Sequence, residues 1–214
     1  LDLIVDLAPE DTVAQSMPGT SPVKWHLAHT TWFFEQFLLS RADNYRAYDA
    51  QWMFLFNSYY QSVGPMHARP SRGLLTRPTL NEVLDYRACI DERMTQWLAQ
   101  PDDAERGTLV TLGLNHEQQH QELLLTDIKH LFSLNPLQPV FRKLLPRLQS
   151  THLAIEFIGG REGIVEVGHG GDGFAFDCET PRHRVLRHPH ALANRPINNA
   201  EFAEFIRDGG YRTP

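Results

Sequence analysis

Hydrophobic positions along the chain change their period once. Up to about residue 135 they recur at helical spacing, and after about residue 155 they fall into short strand-like runs. A helix is expected over about 21–42, with Trp25, Ala28, Trp32, Phe33 and Gln36 on one side and Ser21–Pro22 as N-cap and first-turn pair. A shorter helix is expected around Ala50–Gln61. A third is expected over Leu80–Leu98, started by Thr79 with Glu82 three residues on. A fourth is expected from about Thr108 to Phe132, burying Leu112, Leu123, Leu124, Ile128 and Leu131. Four amphipathic helices with such connections point to an antiparallel four-helix bundle. The segment Gly64–Thr79, rich in Pro, Gly and Arg, reads as an ordered loop.

Asn135, Pro136, Pro139 and Pro146 break the pattern, which sets the expected divisions at 1–135 for the helical domain, 136–154 for a linker and 155–214 for an α+β segment. In that last segment, Gly163–Gly168 and His183–His188 read as strands. A short helix follows, capped by Asn198, with Phe202, Phe205 and Ile206 on its apolar face and Gly209 at its end. The segment is too short to close a core. Leu1 is not an initiator methionine, and the chain stops at Pro214 just after a turn, so a longer protein is expected.

Composition narrows the class without naming a function. Hydrophobic residues make up 42% and charged residues 21% of the 214 positions, as in an ordinary globular protein. A net charge of −6 argues against nucleic acid and against anionic membrane surfaces as partners. Cys89 and Cys178 cannot build a disulfide framework, which suits a cytoplasmic setting, and Cys89 reads as a packed helix residue. No run of about 18 apolar residues suggests a membrane span. Oligomeric state is not legible.

The strongest chemical signal is Asn115–Glu122, NHEQQHQE. His116 and His120 are four apart on a helix, so both imidazoles share a face within reach of one metal, with Gln119, Leu123 and Asp127 nearby. Imidazole suits iron, zinc, copper or nickel, so the pair does not name the ion. The pattern also fits the HExxH of zinc peptidases, with Glu117 as general base. Leu123 and Thr126 break the metzincin extension of that motif, and Glu156 is a distant candidate ligand. Upstream, Ser21–Glu35 offers His26 and His29. His29 falls between Trp25, Trp32 and Phe33 on the interior face, and His26 toward its edge. One histidine from the first helix and two from the fourth would leave about three positions open on an octahedral metal. Asp127 is a candidate to hydrogen-bond a metal-binding imidazole and orient it, and Glu117 and Glu122 are read as structural or as such orienting partners rather than as ligands. Arg69, Arg72 and Arg77 are candidates to clamp a carboxylate, and Tyr59 and Tyr60, at the end of the second helix, to supply a phenol near the metal.

Taken together, SPVKWHLAHTTWFFE and GLNHEQQHQELLLTDIKH resemble the N-terminal DinB-like domain of ergothioneine-biosynthesis sulfoxide synthases. The segment from Gly163 on resembles the start of their second domain, which is related to formylglycine-generating enzyme and to C-type lectins. The resemblance implies an oxidoreductase with iron(II) held by His29, His116 and His120, and dioxygen as co-substrate. His26 is then not a ligand. It implies a substrate contact through water for Gln119 and carboxylate binding by Arg69, Arg72 or Arg77. It implies C–S bond formation between the imidazole C2 of Nα-trimethylhistidine and a thiol donor, cysteine or γ-glutamylcysteine, with oxidation to the sulfoxide. Related branches use a selenosugar, as the selenol donor of a selenoneine pathway, or make the ovothiol skeleton. Where many relatives read FDNE, this chain has Phe176, Asp177, Cys178 and Glu179, so Cys178 is the departure. The alternatives are a zinc hydrolase, which needs only His116, His120 and Glu117, and a DinB-type thiol transferase or binding bundle.

Overall fold

The computed structural model describes residues 1–100, 104–142 and 153–213. It divides into two compact units, Leu1–Leu145 and Pro146–Pro214. Most of the expected linker, including Pro146, lies outside the described residues.

The first unit is mostly helical and centres on α1, Val23–Phe37. Almost the whole circumference of α1 is buried, polar residues included, because α3 and α4 pack against it on different sides. The buried charged groups of α1 carry their own partners. Lys24 donates from Nζ to the carbonyls of Leu75 and Pro78 at 2.9 and 2.6 Å. The Glu35 carboxylate accepts from the hydroxyls of Tyr45 and Tyr86 and from the Tyr48 amide. Ser21 does not cap the helix. Pro22 holds the N-cap position, and Ser21 turns its hydroxyl to Arg72 and its amide to Asp127.

The expected helix over Ala50–Gln61 is a single turn, α2, Trp52–Leu55. Asn57 explains the early stop. Its amide donates to the carbonyls of Tyr60, Gly64 and Pro65, which folds the chain back as a loop. Tyr59 then takes a left-handed conformation with φ of 60°. Among its described residues the unit therefore has three long helices and a single-turn α2 in place of the expected shorter second helix. Within the Gly64–Thr79 loop, Arg69–Leu74 forms a 3-10 turn.

α3, Leu80–Leu98, starts on a capping box in which the Thr79 hydroxyl accepts from the Glu82 amide and the Glu82 carboxylate accepts from the Thr79 amide. α4, Ala104–Leu134, is the longest element. Its buried line runs through Gly113, Leu124, Ile128 and Phe132, so Leu112 and Leu123, expected inside, are exposed. A Cβ at Gly113 would sit 2.7 Å from the Phe34 ring, so this glycine lets α4 approach α1 one turn before His116.

The second unit is small. β1, Phe157–Gly159, pairs antiparallel with β4, Ala191–Ala193, and β2, Gly163–Val167, pairs antiparallel with β3, His183–Arg187. α5, Asn199–Arg207, is capped by Asn198, and Arg195 grips Glu201 with two nitrogens. Phe202, Phe205 and Ile206 on α5 remain about half exposed. Among the described residues, no helix is long and apolar enough to cross a membrane.

Candidate metal centre

Two helices supply four histidines to one spot. α1 contributes His26 and His29, three residues apart, and α4 contributes His116 and His120, one turn apart. His29, His116 and His120 each place a ring nitrogen within 4.8 Å of the others. Their ring centroids are 5.0, 4.7 and 4.6 Å apart. Among the described residues this is the one such cluster of metal-ligating side chains.

His29 is the most constrained of the three. It is 1% exposed and lies stacked between Trp25 and Trp32, at centroid distances of 4.5 and 5.5 Å. Its Nδ1 lies 2.6 Å from the Phe56 carbonyl, which only accepts, so Nδ1 carries the proton and Nε2 keeps its lone pair. His116 packs against the Phe33 ring at 4.5 Å, and its Nδ1 is buried without a hydrogen-bond partner. A buried imidazole nitrogen with no partner is costly unless something else takes its lone pair. The three residues thus fit a metal that accepts neutral imidazole.

Electrostatics agree with that fit. Burial pushes His29 well below its ordinary value, helped by His120 and His116. Burial also pushes His116 down to about 4 and His120 down to about 2, the latter helped by His116, His26 and Arg72. All three rings are neutral at neutral pH, the form a metal requires. A stability consequence follows for the metal-free protein. Unfolded imidazoles take protons near pH ~6.5, whereas folded His116 does so only near 4. The unfolded chain binds more protons between those values, so stability is complete above the higher one and is lost progressively toward the lower. Thermal melts of the metal-free protein are expected to fall as pH drops from about 7 to about 5. A melting temperature flat across that window would contradict the burial described here.

The cluster opens on a cleft of about 340 Å³ that holds Tyr59, Tyr60, Arg69, Arg72 and Gln119 together with the histidines. Arg72 is 3% exposed, lies 3.3 Å over the Trp25 ring, and donates to Ser21 and Ser58 at 2.9 Å each. Burial, then the neighbouring Arg69, pulls it down to about 10, so it stays charged at neutral pH. Arg69 donates to the Tyr59 hydroxyl, and the Nε atoms of both arginines are buried without partners. Gln15 braces their loop by donating to the Arg69 carbonyl and accepting from the Gly73 amide. Tyr60 packs against Phe37 at 4.9 Å, while Tyr59 is exposed.

Several sequence candidates fall elsewhere. Arg77 is exposed and bonds to the adjacent Thr76 carbonyl, outside the cleft, because it precedes α3 on the far end of the loop. His26 is not at an edge but 3% exposed, since α4 covers it. Asp127 touches none of the three clustered rings and instead holds His26 Nε2 at 3.0 Å. Glu117 is turned to α3, where Arg87 donates to both of its oxygens at 2.9 and 3.4 Å. Glu122 is exposed on α4. Glu156 belongs to the other unit, where its backbone pairs with Asn194. His26 also lies 2.9 Å from His120 through their Nδ1 atoms, so it sits between His120 and Asp127, a placement the sequence does not make evident. Its one signal was the seven-residue spacing of His120 and Asp127, which puts both on one face of α4 within reach of a single side chain across from it.

Residues 1–124 match the family model described as the DinB superfamily. Two curated relatives, both named hercynine oxygenase, align with nearly the whole chain. One, from Mycolicibacterium thermoresistibile, is 28% identical over 212 residues, which is 98% of this chain and 46% of the relative. The other, from Mycolicibacterium smegmatis, is 26% identical over 219 residues, 99% of this chain and 48% of the relative. The chain thus spans about half the length of the curated relatives it matches.

Proposed function

This chain belongs to the DinB superfamily, and from that premise we propose that its first unit is the iron(II) site of an oxygen-dependent sulfoxide synthase acting on hercynine, Nα-trimethylhistidine. The observation that carries the reading is the convergence of His29, His116 and His120 from two helices, in a chain similar to hercynine oxygenases over nearly its full length. His29, His116 and His120 would hold the ion through three neutral rings, and positions left open would admit a thiol donor and dioxygen. When bound, iron(II) supplies the one-electron chemistry that lets dioxygen react, and its undiminished double charge favours a thiolate over a thiol.

The chain's own residues bind and orient. Arg69 and Arg72 offer two adjacent guanidinium groups, with unpartnered Nε atoms, to a donor carboxylate beside the histidines. The Arg72 guanidinium is locked by Trp25 and two hydroxyls, so it loses little freedom on binding. The Tyr59 and Tyr60 hydroxyls stand at the cleft as candidate proton carriers, and Gln119 as a substrate contact. The overall balance is one dioxygen against one thiol S–H and one imidazole C–H. One oxygen atom ends on sulfur and the other leaves as water. The donor is cysteine or γ-glutamylcysteine, and a selenosugar is the corresponding alternative. The second unit is read as the start of a formylglycine-generating-enzyme-like domain. Further contacts to the trimethylammonium substrate are assigned to the part of the relatives this chain does not span.

A zinc hydrolase built on the same helix would need Glu117 free to act on bound water. Its engagement by Arg87 disfavours that reading. Glu117→Gln is expected to leave oxygen uptake with hercynine and a thiol donor nearly unchanged, whereas a lost general base costs about 10²–10⁴-fold. The deciding assay is anaerobic iron(II) loading followed by oxygen, hercynine and each candidate donor. Oxygen consumption and a product mass equal to both substrates plus one oxygen, less two hydrogens, support the proposal. Hydrolysis without oxygen uptake would replace it.

A further inference from the structure

We propose that His26 is a positioning residue that sets the tautomer of His120, through a hydrogen-bonded line running from Asp127 through His26. The inference rests on the three-histidine reading above and adds to it a residue that is not itself a ligand.

The protons can be followed one group at a time. Asp127 Oδ2 accepts from the Ser21 amide at 2.8 Å, which anchors the carboxylate where the chain enters α1. The same oxygen lies 3.0 Å from His26 Nε2. A carboxylate only accepts, so Nε2 of His26 carries its proton. A neutral imidazole that donates from one nitrogen offers a lone pair on the other. His26 Nδ1 is therefore the acceptor, and its neighbour at 2.9 Å, His120 Nδ1, is the donor. With Nδ1 of His120 protonated, the bare nitrogen of His120 is Nε2. Its ring lies 4.7 and 4.6 Å from those of His29 and His116.

The line does for His120 what the Phe56 carbonyl does for His29: it fixes which nitrogen is free and how the ring is turned. Two partners on α4, seven residues apart, are bridged by one buried side chain of α1. Ring orientation on the metal-binding helix is thus tied to the packing of the two helices. Removing the bridge frees His120 to rotate or to take its proton on Nε2, where it competes with a metal.

Two measurements test this on the whole protein. Nitrogen-15 histidine spectra of the wild type, metal-free and loaded with zinc(II) as a diamagnetic stand-in, are expected to show His120 protonated on Nδ1 and His26 on Nε2. His120 protonated on Nε2 in the metal-free protein would overturn the inference without any variant. Iron(II) affinity is the second readout. His26→Leu is expected to lower it about 10–100-fold. His26→Gln, whose amide can accept from His120 and donate to Asp127, is expected to restore most of the loss. Asp127→Ala is expected to weaken binding too, and the double variant His26→Leu/Asp127→Ala to be no worse than His26→Leu alone. Equal affinity in wild type and His26→Leu, or failure of His26→Gln to rescue, would overturn the inference while leaving the metal reading intact. A wild type that takes up neither iron(II) nor zinc(II) would overturn both.

Discussion

Alanine at His29, His116 or His120 is expected to abolish iron(II) retention and oxygen-dependent turnover, each substitution alone. The reason is arithmetic. Three donors are the whole cluster among the described residues, so losing one leaves two. The penalty should exceed the roughly 10–100-fold cost of removing a group that only orients a ligand. His29 is the informative member of the trio. A zinc hydrolase using the two α4 histidines would tolerate its loss, whereas the three-histidine centre would not. Metal analysis after anaerobic dialysis checks the prediction, and undiminished iron in the His29→Ala protein would remove that residue from the ligand set.

The second large effect is expected at Trp32. The side chain is fully buried, stacks on His29 at 5.5 Å and meets the rings of Phe37 and Tyr60 at 5.8 Å. Its indole nitrogen has no partner, so Trp32→Ala removes packing and no hydrogen bond. Truncation of a buried tryptophan costs about 3–5 kcal/mol. Because one face of His29 loses its support, iron(II) affinity should fall together with stability. Urea denaturation read beside a metal titration checks both, and a stability change under about 1 kcal/mol would contradict the packing described for α1.

Local signals in the sequence were enough for some of this structure. The Thr79–Glu82 box marks the start of α3, and Asn198 that of α5, because a cap is decided by residues a few positions apart. The four-residue spacing of His116 and His120 puts them on one face wherever that helix packs. What escaped the sequence depends on groups far apart in the chain. The predicted helix over Ala50–Gln61 stops after Leu55 because Asn57 finds better partners at Gly64 and Pro65 than in a continued helix. The HExxH spacing leaves Glu117 open to a general-base role or a structural one, and the choice depends on Arg87, thirty residues upstream on another helix, which holds it. Arg77 could not be told from Arg69 and Arg72 by composition. Only the 3-10 turn from Arg69 to Leu74, braced by Gln15, turns two of the three into the cleft. His26 lay at the rim of a helical-wheel stripe, yet α4 buries it.

Whether three histidines hold one iron is decided by iron-edge X-ray absorption on the protein loaded anaerobically with one equivalent of iron(II). Outer-shell scattering from three imidazole rings around a single iron is expected, with the remaining positions filled by light oxygen or nitrogen donors. A spectrum with two imidazoles, or with a protein carboxylate in place of the third, would contradict the three-histidine centre.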